Sequence, residues 1–522
     1  MSAHGDVKVS VIVALYNTGE RLDALVASLD AQTLPRDEFE VILVDDGSSD
    51  DTLARARGLA RTRPHLVVHT IPNSGWPGRP RNVGLDLARG RYVFFSDHDD
   101  AFGERALESV CEMADRNNSD IVYGKLVRVG RTTPYWPVWS QDIDIADPVG
   151  VVLWSRTVHK LYRRAFLVEH GIRFREGRIR LEDHEFMARA IPKARVISVL
   201  ASQPVYYWIH RHDGSNASDS PVALADYWSH YAHVLATWEE EAGPGPLLDQ
   251  ARYVSAIQAF SRFGPAAYLK WSPERRDALF AGVQPMFARH VPAELDPLFP
   301  VLKRMRVQAL RAGDRTGFDA VQELRTRYSF AVRVDNVSVR AGAVHLRLTM
   351  SCRMGDRGVV QVERRAGQAL LPADHFATDV TDDARRLGEE ELGTAEVSIR
   401  HVPSGVEWPV AHREAQREPD RLQMTLDASV DLLRDKFGGQ LAPGSWELLV
   451  RVQFLGEGGV RRLPWRRKGA LPTPLHVGES GHLRFEVEKP SRFGRPRARI
   501  RAALRRVKRL LVRIRRRLRA RA

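Results

Sequence analysis

The chain has 522 residues, 43% of them hydrophobic and 28% charged, the profile of a globular protein too long for one ordinary core, so two to four domains are expected. Its two cysteines, Cys111 and Cys352, are too few and too far apart for a disulfide framework or a zinc site, and they fit a reducing compartment. The net charge of +14 suggests a nucleic-acid binder until it is located: residues 492–522 carry fourteen arginines, one lysine and no acid, a charge of +15, so the remaining chain sums to −1 and is not a basic body.

The N-terminus lacks a charged segment followed by an apolar region and a cleavage site; VKVSVIVAL (7–15) reads instead as a first strand. No apolar run reaches the length of a bilayer crossing, so the expectation is a cytoplasmic protein that is not transmembrane. An amphipathic helix follows at 19–31, then EVILVDD (40–46), a second helix, LVVHTI (66–71), a third helix from about 80, and RYVFFSD (91–97). Apolar strands alternating with helices up to about residue 210 predict an α/β domain with a mostly parallel sheet covered on both faces. Such sheets bind ligands at the carboxyl ends of their strands. Three polar clusters fall there: Tyr16 with Asn17, Asp45 with Asp46, and the group Asp97, His98, Asp99 and Asp100.

Carboxylates packed that closely repel one another and need compensation, by a divalent cation or by solvent at an exposed turn. In GSSDDT, Ser48 or Ser49 can cap the second helix, while Asp45 and Asp46 could accept a hydrogen bond from the N3–H of a pyrimidine. NSGWPGRPRNVG (73–84) reads as a rigid basic loop: Gly75 and Gly78 permit sharp turns, Pro77 and Pro80 stiffen it, and Arg79 and Arg81 present planar donors suited to phosphate. A basic loop facing an acidic cluster makes sense if a ligand both anionic and metal-binding lies between them, as a nucleoside diphosphate would. LEDHEFMARA (181–190) opens a helix with Glu182, Asp183 and Glu185, which is also an ordinary acidic first turn favoured by the helix dipole. HRHDGSNAS (210–218), with Arg211, His212 and Ser215, could close over phosphates or be a plain solvent loop.

Residues 222–327 read as helical, broken at GPGP (243–246) and FGP (263–265), with a linking or assembly role. From Tyr328 the pattern turns to period-two alternation in FAVRVDNVSV, AVHLRLTM, GVVQVERR, AEVSIRHV, SWELLVRVQF and HLRFEVE, an antiparallel sandwich. After a proline hinge at 490–496, Ile500, Ala503, Leu504, Val507, Leu510, Leu511, Ile514 and Leu518 form one apolar stripe among the arginines. That suits a helix on an anionic membrane, each basic residue contributing about 1 kcal/mol; the alternative is nonspecific contact with RNA or another polyanion.

Taken in order, VSVIVALYN, VILVDDGSSDDT, the Asp97-His98-Asp99-Asp100 group and LEDHEF resemble a family 2 inverting glycosyltransferase with the GT-A (Rossmann-like) fold over residues 7 to about 215. NSGWPGRPRN and HKLYRRAFL (159–167) more narrowly resemble the enzymes that glycosylate poly(ribitol phosphate) in wall teichoic acids. The chain departs from that pattern in having Ala14 where a proline is usual, and a single sandwich before the basic tail. The domains implied are 1–221 catalytic, 222–327 helical linker, 328–490 immunoglobulin-like sandwich and 491–522 basic amphipathic tail.

The resemblance implies metal-dependent transfer of a sugar, N-acetylglucosamine first among candidates, from a UDP-sugar to a hydroxyl of a polymer or lipid-linked acceptor. It implies Mn²⁺ or Mg²⁺ held by Asp99 most directly and by Asp97, which also contacts ribose or metal-bound water, with His98 pointing away. Tyr16, Asp45 and Asn73 would hold uridine, Arg79, Arg81, Arg211 and Ser215 the diphosphate or sugar, Glu182 the donor sugar, and Asp183 would be the general base. Work at the inner membrane face through 492–522, a homo-oligomer through the sandwich and no specific nucleic acid complete the expectation. The competing readings are a transferase for capsular or other cell-wall polysaccharide, a nucleotidyltransferase, which VALYNTGERL disfavours for want of a lysine and a glycine-rich loop, and a noncatalytic carbohydrate-binding scaffold. Deleting 491–522 is expected to abolish sedimentation with anionic vesicles while leaving transfer to a soluble acceptor intact; equal sedimentation of the truncated chain would refute the membrane role.

Overall fold

The run VSVIVAL has no polar face, and it is buried on both sides as β1 (Val9–Leu15) of an eight-stranded sheet. The computed structural model describes residues 7–130, 139–210, 224–376, 380–465, 471–478 and 480–488. After β1 come α1 (Arg21–Asp30), β2 (Phe39–Asp45), α2 (Thr52–Ala60), β3 (Leu66–Thr70), α3 (Gly78–Leu87) and β4 (Tyr92–Asp97). Then follow β5 (Ala101–Phe102), α4 (Ala106–Asn117), β6 (Ile121–Val129), β7 (Leu161–Arg163), α5 (Arg164–Glu169), α6 (Glu182–Ala190) and β8 (Ile197–Ile209). Alternate residues of β1 serve opposite cores, as the strand period of two requires. Val9, Val11 and Val13 pack with Leu22, Leu25 and Val26 of α1, whereas Ile12 packs with Leu85 of α3 and Phe186 of α6. Each fully buried aliphatic or aromatic side chain of this kind stabilises the domain by roughly 1.5–3 kcal/mol. Gly84 lets α3 lie close on β1, because a Cβ there would run into Ile12.

The strand order is β3-β2-β1-β4-β7-β6-β8-β5. Pairing is parallel from β3 to β4. The sheet is mostly parallel, as expected, with two reversed strands beyond β4: β7 runs antiparallel to both β4 and β6, β6 and β8 are parallel, and β5 is antiparallel to β8. Three residues of β7 inside HKLYRRAFL are too short for any periodicity to reveal. The chain moves outward from β1 to β2 and β3 and then returns to β4 on the other side of β1. That reversal opens a crevice at the carboxyl ends of β1 and β4.

Helices follow at α7 (Leu224–Ala242), α8 (Pro246–Phe260), Pro273–His290, Val301–Ala312 and Arg315–Arg327, packed about Trp228, Tyr231, Phe260, Phe287 and Phe318. The buried Arg156 fastens them to the sheet domain, donating to the Ser255 hydroxyl at 2.7 Å and the Ala251 carbonyl at 2.8 Å on α8. From Tyr328 two antiparallel sheets face each other. One contains Tyr328–Arg340, Ala343–Met354 and Gln423–Asp431, and the other Thr394–His401, Gly444–Phe454 and Leu483–Val487. Val344, Leu346, Leu348 and Met350 of the first sheet meet Val397, Leu448, Val450 and Phe485 of the second. GVVQVERR does not form a continuous strand of either sheet: Val359 and Gln361 make isolated bridges to Arg353 and Arg421, and Glu363–Arg365 pairs in a ribbon with Gln368–Leu370. Among the described residues no helix is long and apolar enough to cross a membrane. The tail at 492–522 lies outside the described residues.

Glu457 on the sandwich joins the helical segment through Lys303 at 3.5 Å, Arg306, and Arg325 at 3.1 Å. Burial opposes its ionisation, but these three cations overcome that and hold its carboxyl down at about 2. Because the folded value lies below the unfolded one, the stabilisation is complete above about pH 4.5 and is lost as the pH falls toward 2. Glu457→Gln is expected to lower unfolding free energy by about 3 kcal/mol at pH 7, and chemical denaturation should show the gap to the unsubstituted protein closing between pH 4.5 and 2.

Candidate active site

The crevice is assembled from three strand ends, α3 and the start of α6. At the end of β1, Tyr16 is 48% exposed and Asn17 takes a left-handed backbone, φ 46°. The Asn17 amide donates to Ser48 Oγ at 3.1 Å, and its Oδ1 accepts from the Ser49 N–H at 2.9 Å, which ties the β1 turn to the β2 turn. At the end of β2, Asp45 is buried; its Oδ2 accepts from the Thr70 hydroxyl at 3.1 Å and the Ser48 N–H at 3.3 Å. Its Oδ1 is buried with no hydrogen-bond partner among the described residues, an acceptor left over at the strand end. Asp46 accepts from the Ser74 N–H at 2.9 Å and hydroxyl at 2.8 Å, and Asn73 Nδ2 donates to the Asp46 carbonyl at 2.8 Å. Asn73 therefore fixes the segment after β3. Gly47, at φ +66°, passes so near the Asn73 backbone that a Cβ would not fit.

Arg79 and Arg81 stand in the first turn of α3 rather than in a loop, because Pro77 precedes the helix and Pro80 sits where no amide is needed. Arg79 is exposed. Arg81 is only 4% exposed and both terminal nitrogens are engaged, Nη2 with Asp97 Oδ1 at 2.8 Å and Nη1 with Glu182 Oε1 at 2.9 Å, with the Phe174 ring 5.2 Å away, while its Nε is buried without a hydrogen-bond partner among the described residues. Two carboxylates take one donor from each terminal nitrogen of the arginine that the sequence reading offers to a diphosphate. Trp76 Nε1 donates to Glu182 Oε2 at 2.9 Å, so both Glu182 oxygens are held. Asp183 is half-buried beside it and accepts from the His184 N–H at 2.9 Å. Leu181, at φ 65°, sets up this helix start in a backbone conformation uncommon for leucine.

At the end of β4 the acids are treated differently by their surroundings. Burial works against ionisation of Asp97, but the His159 ring at 3.1 Å and the Arg81 guanidinium hold its carboxyl well below the usual carboxylate range. Asp100 goes the other way: burial and the neighbouring Asp97 and Asp99 push it well above that range. Its Oδ1 accepts from the Ile209 N–H at 2.8 Å and its Oδ2 is buried without a partner among the described residues. Asp97, Asp100 and His159 offer ligand atoms within 4.8 Å of one another. An orphaned buried carboxylate oxygen beside two more acids is what a hard divalent cation would satisfy, so these residues fit one. Asp99, expected as the most direct ligand, is not in this group; Asp97 is. His98 stands outside it too, its Nδ1 3.2 Å from the Ala14 carbonyl.

Several site residues carry no obvious sequence signal. His159 stacks on Tyr206 at 4.5 Å, and the Tyr206 hydroxyl oxygen accepts from the Asp97 N–H at 2.9 Å. Lys160 is buried with its Nζ 4.4 Å from the Tyr123 ring centre, and burial pushes it down to about 7, against the pull of Asp183. HKLYRR contains both residues, but nothing in its spacing points at Asp97. Burial raises Asp183 as well, with the Arg81 charge opposing, and burial and Asp183 raise Glu182. A carboxylate so raised is a stronger base when ionised. Arg211 and Ser215 lie outside the described residues.

Residues 10–181 match the family described as “Glycosyl transferase family 2”, and residues 224–322 match “Glycosyl transferase TarS linker domain”. The chain is 31% identical over 326 residues to the poly(ribitol-phosphate) beta-N-acetylglucosaminyltransferase TarS of Staphylococcus aureus, covering 61% of this chain and 55% of that protein. It is 29% identical over 319 residues to a poly(ribitol-phosphate) beta-glucosyltransferase of Bacillus spizizenii, covering 60% and 49%. The chain thus spans about half the length of these curated relatives. The crystal structure of S. aureus TarS residues 1–349 with UDP-GlcNAc superposes with a TM-score of 0.56 at 27% identity, over 65% of this chain and 96% of that one.

If the cation sits on Asp97, Asp100 and His159, Asp100→Asn should weaken Mn²⁺ binding, followed by calorimetry, by about tenfold or more, and Asp99→Asn should weaken it less. The reverse order would return the ion to the Asp97–Asp99 pair.

Proposed function

From a chain that carries a family 2 glycosyl transferase domain at residues 10–181 and a TarS-type linker at 224–322, we propose an inverting transfer of N-acetylglucosamine from UDP-N-acetylglucosamine to a hydroxyl of a polyol-phosphate polymer such as wall teichoic acid. The observation that carries this reading is the buried Arg81, which holds Asp97, at the cation-binding end of the crevice, to Glu182, the neighbour of Asp183. A leaving diphosphate and a base on the opposite side of the anomeric carbon need that fixed separation. The printed names of the curated relatives, which act on poly(ribitol phosphate), support the acceptor class.

In this reading Asp183 takes the proton from the acceptor hydroxyl as its oxygen bonds to the anomeric carbon. The bond from that carbon to the diphosphate breaks, and UDP departs with the electron pair. Attack on the face opposite the leaving group inverts the centre. Glu182, fixed by Arg81 and Trp76, meets the donor sugar; the exposed Tyr16 ring and Asp45 at the β2 end meet uridine, with Asn73 shaping that side. Arg79, exposed on α3, and Arg211 and Ser215 supply contacts to diphosphate or sugar. Mn²⁺ or Mg²⁺, when bound at Asp97 and its neighbours, neutralises charge on the diphosphate as a Lewis acid. The work is assigned to the inner face of the membrane, approached through 492–522, with the sandwich available for self-association.

Incubation with UDP-N-acetylglucosamine, Mn²⁺ and poly(ribitol phosphate) is expected to release UDP and label the polymer. Asp183→Asn should lower that rate by about 10²–10⁴ while the donor still binds. Full activity in Asp183→Asn would remove it as the base. Donor binding without transfer to any polysaccharide would favour the noncatalytic scaffold.

A further inference from the structure

A cavity of ≈ 150 Å³ lies where β6 of the catalytic sheet meets the sandwich. Lys125 of β6 lines it and is only 4% exposed. Its ammonium stands 3.5 Å from the ring centre of Trp408, which comes from the sandwich, and has no hydrogen-bond partner among the described residues. Glu407, the carboxylate that pulls hardest on it, is already engaged, because its Oε1 accepts from the Ser398 hydroxyl and from Arg451, each at 2.6 Å. Burial consequently pushes Lys125 down to about 7, with Glu407, Asp435 and Asp142 opposing only in part. A buried ammonium left in this state wants an anion.

The rest of the lining agrees in sign. Lys125, Arg128, Lys436 and Arg451 stand against Glu396 and Glu407, an excess of positive charge. Trp139 adds aromatic surface on which the carbons of a polyol can lie. The cavity is also joined to the reaction centre by one strand. Two residues before Lys125, the Tyr123 ring carries Lys160, and one residue after it, Leu126 pairs with Tyr206, whose hydroxyl holds the Asp97 amide.

We propose that this cavity is a subsite for a phosphodiester of the anionic acceptor polymer, with Lys125 as the anion-binding residue and Trp139 flanking the adjoining polyol. The subsite rests on the function proposed above, and it holds a stretch of acceptor at the seam between catalytic domain and sandwich while another hydroxyl of the same chain reaches Asp183.

The test uses the full chain and a short poly(ribitol phosphate) oligomer, with inorganic phosphate and free ribitol as reference probes, by calorimetry. Lys125→Met removes an ammonium that lacks a hydrogen-bond partner and leaves an apolar chain of similar length against the Trp408 ring, so its thermal midpoint should not fall. It is expected to bind the oligomer about 10–100-fold more weakly, with UDP-N-acetylglucosamine affinity and acceptor-free UDP release unchanged. Lys436→Gln, at the cavity mouth, should give a smaller loss in the same direction and covers the case in which Lys125→Met folds poorly. Undiminished oligomer binding in both variants overturns the subsite even if transfer proceeds. So does an oligomer that binds no tighter than inorganic phosphate, or ribitol that binds as well as the oligomer. If no sugar is transferred to any acceptor, the function fails, yet loss of oligomer binding on Lys125→Met still supports the subsite.

Discussion

The geometry of the crevice depends on one guanidinium taken out of water between two carboxylates. Arg81 reaches Asp97 on β4 and Glu182 on α6, residues that lie far apart in the chain. Burying these charges costs several kcal/mol each, and only close, well-directed hydrogen bonds offset that, so loss of any member leaves an uncompensated charge. The planar fork of arginine can serve two acceptors at once where lysine offers a point charge. From this bridge the order spreads in both directions: through Glu182 to Trp76, and through Asp97 to His159 and the Tyr206 ring beneath it. Asp183 inherits its position from its neighbour in α6.

The same bridge divides the carboxylates by role. Asp97 stays ionised beside His159 and Arg81, Asp100 is driven the other way by burial and its acidic neighbours, and Asp183 is raised by burial next to the arginine. One crevice thus holds carboxylates whose affinities for a proton are driven in opposite directions by their surroundings.

The helices and sandwich act on the site as supports. Arg156 docks α8 against the sheet domain, Glu457 gathers Lys303, Arg306 and Arg325 where helices meet sandwich, and Trp408 covers Lys125 on β6. Each joint is a buried charge whose partners come from different segments, which gives a seam with a definite shape and the cavity along it.

Much of this was readable in the chain before folding. The apolar runs of β1, β2 and β4 announce strands buried on both faces, the polar clusters at their ends announce a ligand-binding edge, and alternation after Tyr328 announces the antiparallel sheets. These features are local: periodicity, strand ends and turn residues act over a few positions, so a sequence displays them directly. What only the tertiary structure decided is which side chains meet. It brought Asp97, Asp100 and His159 within reach of one another, set Arg81 between Asp97 and Glu182, slipped β7 into the sheet, and left Lys125 facing a cavity. Contacts between residues distant in the chain depend on how the sheet twists and which helix lies over which strand, and no local pattern carries that information.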